Sequence, residues 1–183
     1  MLYKLAHIIL TRFPWLWECI EWLNDLLFKI RYHKSIATID GLASAKDADA
    51  LVSFLERQPI SSFEYFRPHL FDTKSVTKLL RRTSMFMHVI SRDGGIVGYC
   101  FLRCFFIGKG YRGYIVDANQ QKKGIGKELG QWLNDTAKKL PIRTFKTINK
   151  NNAASLRLAQ ATCKLIKIQE LEKDDIEYEC LIL

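Results

Sequence analysis

The segment that constrains the fold most runs from an apolar stretch at residues 114–116 into the sequence QQKKGIGKELG at residues 120–130. Its two glycines follow a pair of lysines and precede a run in which Ile125, Leu129 and Leu133 recur at helical spacing. A strand, a glycine-containing turn and a helix in this order are typical of phosphate binding, because the first N–H groups of the helix are unpaired and its dipole favours an anion. We therefore predict a strand-to-helix connection that binds a phosphate group.

The spacing of this segment excludes two common phosphate-binding motifs. A Walker A loop needs Ser or Thr after Gly-Lys and a glycine five residues before the second glycine, but Glu128 and Gln121 occupy those places. A dinucleotide-binding fingerprint needs a third glycine where Leu129 stands. The pattern that remains is Gln121-x-x-Gly124-x-Gly126.

Positive charge is concentrated around the same segment. The 183-residue chain has a formal net charge of +9, and residues 118–150 carry eight basic side chains against two acidic ones. This surplus indicates a polyanionic partner, with a solvated basic helix face as the alternative. We do not expect nucleic-acid binding, because Trp132 and Phe145, the aromatic residues within the basic stretch, can both be core residues.

The rest of the chain predicts one α+β domain with mixed helices and strands. Apolar runs at residues 85–91 and 96–106 flank Asp93, Gly94 and Gly95, which is a hairpin signal. Further strands are predicted at residues 35–39, 113–116, 142–148, 165–168 and 176–183. Helices are predicted within residues 40–57, around 76–80, from the glycine segment up to Pro141, and at 152–161.

The pattern Gln121-x-x-Gly124-x-Gly126 resembles the acetyl-coenzyme A loop of the GNAT superfamily of acyl-CoA N-acyltransferases, in which Arg or Gln is followed by two residues, Gly, one residue, and Gly or Ala. That family also has an asparagine that opens a helix after the next strand, with a small residue three positions later. Asn152 and Ser155 match this second pattern, although Asn152 is also a good N-cap in its own right.

The resemblance covers residues 35–183 and implies an α+β fold of the GNAT type. Its central sheet would be mixed and mostly antiparallel, with helices on both sides and two splayed parallel strands that hold the cofactor. The co-substrate would be acetyl-coenzyme A, and no metal is expected. Five scattered cysteines without CxxC spacing agree with the absence of a zinc site or a disulfide framework.

The resemblance also implies a role for each matching residue. The backbone N–H of Tyr114 would bind the thioester carbonyl, and Ile115 and Val116 would pair like a strand with the pantetheine arm. Asn152 would contact the pantetheine, and Ser155 would lie close to it. The pyrophosphate would be held by the backbone amides of the loop, with added positive charge from its lysines; the residues are Gln121, Lys122, Lys123, Gly124, Ile125, Gly126 and Lys127.

The sequence departs from the family where proton transfer is concerned. Many relatives have a tyrosine, the acid for the leaving thiolate, at the position of Ala159, and a Gly-Phe pair at the positions of Cys163 and Lys164. No Asp or Glu stands in residues 110–116, where some relatives keep a general base. The side-chain acid and base are therefore open. Candidates for a relay are Tyr99, Tyr111, His88 and Tyr178, and each can equally be a core or cross-strand residue.

Other residues suggest an acceptor site and a nucleophile. Cys100 or Cys104 could carry the acyl group with His88 across the hairpin, but cysteine is more often a small buried hydrophobe. Between the first predicted strand and the hairpin, where GNAT enzymes receive their amine, His69 and several aromatic residues could line a pocket that stacks on a sugar ring. The aromatic residues are Phe63, Tyr65, Phe66 and Phe71.

Residues 1–34 are predicted to form an amphipathic helical extension that precedes the catalytic domain at 35–183. Three of the four tryptophans lie in it, flanked by basic residues such as Lys4 and Arg12. This composition suits a membrane surface, while a helix packed on its own domain or on a second subunit is the alternative. We expect a cytoplasmic protein that can lie at the inner face of the membrane, or a homodimer formed through this extension.

These observations together predict an N-acetyltransferase that moves the acetyl group of acetyl-coenzyme A to a primary amine by direct transfer. The acceptor would be a small molecule, and the aromatic segment suggests an amino sugar of surface-glycan synthesis. The alternative is a catalytically weak module of the same fold that binds coenzyme A or an anionic lipid.

Overall fold

The computed structural model describes residues 14–182 as five helices and six strands, besides short 3₁₀ turns. The helices are α1 (Pro14–Ile36), α2 (Ala48–Glu56), α3 (Thr73–Leu80), α4 (Ile125–Lys139) and α5 (Ala153–Gln160). The strands are β1 (Met85–Arg92), β2 (Gly95–Phe105), β3 (Lys109–Val116), β4 (Arg143–Asn149), β5 (Lys164–Glu170) and β6 (Asp175–Leu181). The order of elements after residue 40 and the β1–β2 hairpin confirm the prediction.

All six strands form one sheet in the order β1-β2-β3-β4-β6-β5. Every neighbouring pair is antiparallel except β3 and β4, which are parallel and are paired only from Lys109 opposite Arg143 to Tyr111 opposite Phe145. Beyond this point β3 continues to Val116 and β4 to Asn149 without pairing to each other. The predicted mixed, mostly antiparallel sheet with splayed parallel strands is confirmed.

Helices cover both faces of the sheet and bury two apolar clusters. On one face, α1 and α4 pack against β2, where Cys100 and Leu102 are fully buried, and α4 contributes Leu129, which is also fully buried. On the other, α2 and α3 pack around Leu51 and Tyr99, also fully buried. Because β3 contributes to both faces, its side chains alternate between the two clusters.

One side of helix α1 packs against the rest of the fold. Phe28 is fully buried and Tyr32 is nearly so, and both belong to the same cluster as α4. Polar contacts extend this packing: Asn24 Nδ2 donates to the Cys104 carbonyl at 3.0 Å, and Glu21 forms ion pairs with Arg82 and Arg103. The first 13 residues of the predicted extension lie outside the described residues, and its division from residues 35–183 stays a prediction.

The strand predicted at residues 35–39 is wrong. Helix α1 continues to Ile36, and the Ser35 carbonyl then accepts hydrogen bonds from the N–H and the hydroxyl of Thr38 at 3.1 and 2.8 Å. The β-branched residues favoured a strand, but packing of Ile36 and Ile39 against the α4 cluster overrides that propensity.

Candidate active site

The space between the splayed ends of β3 and β4 is a cleft of about 1090 Å³. Its walls are the two strands, the N-terminal ends of α4 and α5, and part of the segment at residues 61–68. Within the described part of the chain, seven basic side chains line it against two acidic ones, Glu64 and Asp175. The cleft is therefore suited to a long anionic ligand.

The glycine segment forms one end of the cleft. Gly124 is the N-cap of α4 and has a φ of 85°, a left-handed conformation that strains any residue with a Cβ. As a glycine it has no side chain with which to cap the helix. Among residues 14–182, no protein acceptor is found for the N–H groups of residues 121–126, whereas those of Lys127 and Glu128 bond to the Gly124 carbonyl at 2.9 and 3.1 Å.

Asp117 fixes the start of this segment. It is almost fully buried, and its carboxylate accepts hydrogen bonds from the Asn119 N–H at 2.9 Å, from Gln58 at 3.3 Å and from Arg57 at 3.3 Å. Burial raises the pKa of Asp117, but these hydrogen bonds and the Arg57 charge outweigh it, so the net pKa is lowered. The ionised carboxylate thus ties the end of β3 to α2 and orients the turn that follows.

Gly126 has a packing role that the sequence pattern did not predict. A Cβ at this position would lie 2.5 Å from Leu158 Cδ2 on α5. One turn later, a Cβ on Gly130 would lie 2.7 Å from the Thr162 side chain. Small residues on this side of α4 therefore allow α5 to approach closely, and α5 forms the opposite wall of the cleft.

Nearly all of the residues predicted to bind the cofactor line the cleft. These are Tyr114, Ile115, Val116, Gln121, Lys122, Gly124, Ile125, Gly126, Lys127, Asn152 and Ser155. Lys123 is the exception: its amine donates to Gln120 Oε1 at 2.8 Å and does not line the cleft. The part each residue plays toward a ligand stays a prediction.

Asn152 is the N-cap of α5. Its Oδ1 accepts a hydrogen bond from the Ser155 N–H at 2.9 Å, which satisfies one of the free donors of the first turn. Its Nδ2 donates to no other group within residues 14–182, so the amide can cap the helix and still present a donor to the cleft. The N-cap prediction is confirmed.

A group of polar side chains lies where β3 and β4 begin to part. Arg112 is buried; its guanidinium donates to Asn134 Oδ1 at 2.7 Å and to the Gly130 carbonyl at 3.1 Å, while its Nε is unpaired. The Tyr114 hydroxyl is buried without a hydrogen-bond partner, with the Ser155 hydroxyl beside it but outside hydrogen-bond geometry. Burial raises the pKa of Tyr114 well above its usual value.

Sequence reasoning missed Lys146, which belongs to this group. Its side chain is only 6% exposed, lines the cleft and places Nζ 3.4 Å from the centroid of the Tyr114 ring. Burial, and then the charge of Arg112, lower the pKa of Lys146 to about 7. The available signal was the alternation along β4, because a lysine between the inward-facing Thr144 and Ile148 is rarely buried without a partner.

Only Tyr111 among the proposed relay residues lines the cleft. Its hydroxyl donates to Glu177 Oε1 at 2.8 Å, and burial together with this bond raises the pKa of Tyr111 to about 12. Tyr99 is fully buried and bonds His69 at 2.9 Å, and His88 stacks on Trp132 with ring centroids 4.7 Å apart. Tyr99 is therefore a core residue, and the half-buried His88 packs between β1 and α4.

The cysteine candidates and half of the aromatic candidates lie away from the cleft. Cys100 and Cys104 are fully buried, and burial raises the pKa of each thiol, which disfavours an acyl-carrying nucleophile. Of the aromatic residues, Tyr65 and Phe66 line the cleft. The rings of Phe63 and Phe71 instead contact each other, with centroids 5.0 Å apart, and pack against the buried cluster around Leu51 and Tyr99.

Comparison with known proteins agrees with this geometry. The model of the acetyltransferase (GNAT) family matches residues 48–164, which span the sheet from β1 to β4 together with α4 and α5. The chain belongs to this family. No curated protein sequence matches this GNAT acetyltransferase significantly over any part of its length.

Solved structures share the fold of this GNAT protein at low sequence identity. The GNAT domain of PAT from S. lividans has a TM-score of 0.66 at 15% identity, with 75% of this chain and 86% of that one covered. YncA from Salmonella typhimurium, solved with its cofactor acetyl-CoA, has a TM-score of 0.61 at 20% sequence identity, and the match covers 78% of this chain and 91% of that one. PaiA N-acetyltransferase from Thermoplasma acidophilum, in complex with coenzyme A, has a TM-score of 0.63 at 14% sequence identity, and the match covers 76% of this chain and 95% of that one.

No group of three or more His, Cys, Asp or Glu side chains within residues 14–182 is arranged to hold a metal ion. No helix in that range is both long and apolar enough to cross a membrane.

Proposed function

We propose that this GNAT protein transfers the acetyl group of acetyl-coenzyme A directly to a primary amine. The observation that carries the proposal is the array of unpaired N–H groups at residues 121–126, which opens into a basic cleft between splayed strands. Such groups at a helix N-terminus bind phosphate. Neighbours of the same fold solved with acetyl-CoA and with coenzyme A support the same ligand.

The exposed edge of β3 supports the placement of the rest of the cofactor. Beyond Tyr111 this edge has no strand partner, so alternate backbone groups of residues 112–116 face the cleft. An extended pantetheine arm can pair with them as a strand does, and the Tyr114 N–H can donate to the thioester carbonyl. A preorganised backbone donor of this kind stabilises the oxyanion that forms when the amine attacks.

Calorimetry with acetyl-coenzyme A, followed by thiol release over a panel of amines, tests the function. Gly124→Asp should weaken binding at least about tenfold, since it places a carboxylate among phosphate-binding donors. Gly94→Asp is the matched control: Gly94 has a φ of 79° and, like Gly124, no atom within 4 Å of an added Cβ, but it lies in the β1–β2 turn. Absence of wild-type binding at submillimolar acetyl-coenzyme A, or equal losses in both variants, would refute the proposal.

For the acceptor we propose an amino sugar that enters beside residues 61–68. Tyr65 and Phe66 line this side of the cleft, and Tyr65 is 42% exposed, so its ring is available to stack on a sugar. Amino-sugar nucleotides, polyamines and peptides should be compared as acceptors. Turnover on peptide N-termini alone would exclude the sugar.

The second candidate function is a module that binds coenzyme A or an anionic lipid without transfer. It is favoured by Ala159, which is buried on α5 at the position where many relatives have the tyrosine that protonates the leaving thiolate. A silent thiol-release assay across the whole amine panel, together with measurable coenzyme A affinity, would support this candidate over the transferase.

We also propose that the outer side of α1 contacts an anionic membrane surface. The side opposite Phe28 exposes large apolar residues, namely Trp15, Trp22, Leu23, Leu26 and Ile30. Lys29, His33 and Lys34 are exposed near the C-terminal end of the same helix. Tryptophan and basic residues together suit the headgroup region of a bilayer.

Liposome flotation tests the membrane contact with substitutions instead of a truncation at Ser35, because a truncation would remove the buried Phe28 and Tyr32. Trp22→Gln with Ile30→Gln should reduce recovery with anionic vesicles. Ile60→Gln is the control, since Ile60 is 87% exposed but lies outside α1. Equal flotation of the wild type and the Trp22→Gln, Ile30→Gln variant would exclude the membrane contact. A change in oligomeric state in that variant, without flotation of either protein, would indicate that this side of α1 binds a second copy of the chain instead.

A further inference from the structure

The proposed acetyl transfer needs a group that moves a proton, and the cleft offers few. Within residues 14–182, neither histidine nor cysteine lines it. Of its two carboxylates, Glu64 lies on the exposed segment before the hairpin and Asp175 accepts from Asn149 Nδ2 at 2.9 Å. Tyr111 is already bonded to Glu177. Two titratable side chains remain at the point where the strands part, Tyr114 and Lys146. Burial raises the pKa of Tyr114, which disfavours release of its proton, so Lys146 is the better candidate.

Lys146 is placed at the vertex of the cleft. Phe145 is the last residue of β4 that pairs with β3, and Lys146 follows it directly. Its amine lies against the ring of Tyr114, the residue whose N–H is proposed to bind the thioester carbonyl. The amine therefore contacts the side chain of the residue whose backbone edge would bind the acetyl group.

The amine of Lys146 has no acceptor of its own. In the described part of the chain it forms no hydrogen bond and no ion pair, and its Nζ lies 3.4 Å from the centroid of the Tyr114 ring. A buried ammonium normally has a carboxylate partner, because removing its charge from water is costly. An unpaired amine that lines a cleft is therefore arranged for a partner supplied by the ligand.

The surroundings favour the neutral amine. Arg112 and Tyr114 face it from β3, Tyr178 and Cys180 from β6, and Cys163 from the turn after α5. Burial and the Arg112 charge lower the pKa of Lys146 to about 7, partly opposed by the two cysteines. A group that titrates near the working pH serves equally well as proton acceptor and proton donor.

We propose that Lys146 is the proton-transfer residue of this reaction, an inference that rests on the proposed function. Its neutral amine accepts the proton that the attacking nitrogen loses as the new C–N bond forms. Its ammonium then donates a proton to the coenzyme A sulfur as the C–S bond breaks. The products are the N-acetylated amine and the free thiol, and Lys146 returns to its neutral form. This role replaces that of the family tyrosine for which the chain has Ala159.

Lysine labelling of the free protein tests the titration and the location without a known acceptor. Reductive methylation followed over a pH series by peptide mass spectrometry should modify Lys146 with a midpoint near pH 7, and saturating coenzyme A should suppress the modification. Lys167 on β5 is the control, because its side chain is 51% exposed, lies outside the cleft and should be unaffected by coenzyme A. A midpoint near 10.4, the ordinary value for lysine, or labelling unchanged by bound coenzyme A would overturn the proposal.

Kinetics test the proton transfer itself, with the amine that the panel identifies. The wild-type kcat should show an inflection near pH 7, and Lys146→Met should lose it together with about 10²- to 10⁴-fold in kcat. Lys146→Arg keeps the charge but cannot release a proton, so it should be equally slow. Wild-type activity of Lys146→Arg, or an unchanged pH profile in Lys146→Met, would overturn the role of Lys146 alone. Failure of coenzyme A to bind the wild type would instead overturn the proposed function.

Discussion

Replacement of Gly126 by alanine should destabilise the contact between α4 and α5. The added Cβ would lie 2.5 Å from Leu158 Cδ2, about 1 Å short of an ordinary carbon–carbon contact of roughly 3.5 Å. Overpacking of this kind typically costs about 1–3 kcal/mol. Since Leu158 is only half-buried and lines the cleft, part of the strain can be relieved if its side chain turns into the cleft.

A double-mutant cycle separates this packing effect from a direct role of Gly126 in ligand binding. Urea unfolding of the wild type, Gly126→Ala, Leu158→Ala and the double variant should give a coupling energy of at least about 1 kcal/mol, with the double variant more stable than the sum of the single losses predicts. Gly95→Ala is the control, because an added Cβ there meets no atom within 4 Å. Its unfolding free energy should change by less than about 0.5 kcal/mol.

Titration of the same four proteins with acetyl-coenzyme A tests why a glycine is needed at position 126. If the displaced Leu158 side chain blocks the cleft, Gly126→Ala should lose affinity and Leu158→Ala should restore it in the double variant. Additive stability losses, with no coupling, would refute the packing account. Restored stability without restored affinity would assign Gly126 to close approach of the backbone to the pyrophosphate.

Three further predictions concern the Asn152 cap, the buried amine of Lys146 and the exposed lysines of the glycine segment. Asn152→Ala should lower the unfolding free energy by about 1 kcal/mol, because the Ser155 N–H loses its acceptor. Asn152→Ser should retain most of this stabilisation, because serine can also cap the helix. Equal losses for the two variants in urea unfolding would contradict the capping role. The unfolding free energy of the wild type relative to Lys146→Met should rise with pH between about 7 and 10.5, because only the unfolded chain holds the lysine proton there. The slope should be at most about 1.4 kcal/mol per pH unit, and a pH-independent difference would contradict the buried amine. Finally, the affinity for acetyl-coenzyme A should fall with added salt, and the fall should be smaller in the double variant Lys122→Gln, Lys127→Gln. Calorimetry that found no salt dependence would refute an electrostatic contribution.

The sequence predicted the elements whose signals are local. Gly94 and the flanking apolar runs specify the hairpin, and Gly124 and Gly126 mark the turn that precedes α4. Asn152 could be identified as an N-cap because its interaction spans only three residues. The family pattern then placed these pieces in one fold, which the splayed β3 and β4 confirm.

Features that depend on tertiary contacts could not be predicted in the same way. Helix α1 has apolar residues on opposite sides, and nothing in its pattern indicates that Phe28 is buried while Trp22 is exposed. Gly126 was interpreted only through a ligand, because its neighbour Leu158 lies 32 positions away in the sequence. Lys146 was counted as surface charge, since its burial depends on its contact with Tyr114, which lies 32 positions earlier in the sequence.

The central proposal is that the backbone N–H groups of residues 121–126 bind the pyrophosphate of the cofactor. Amide chemical shifts of the ¹⁵N-labelled protein during titration with coenzyme A measure this residue by residue. We expect the largest changes at residues 121–126, with smaller ones at Tyr114 and Asn152. Saturable changes confined to another surface, with the amides of residues 121–126 unmoved, would contradict the claim.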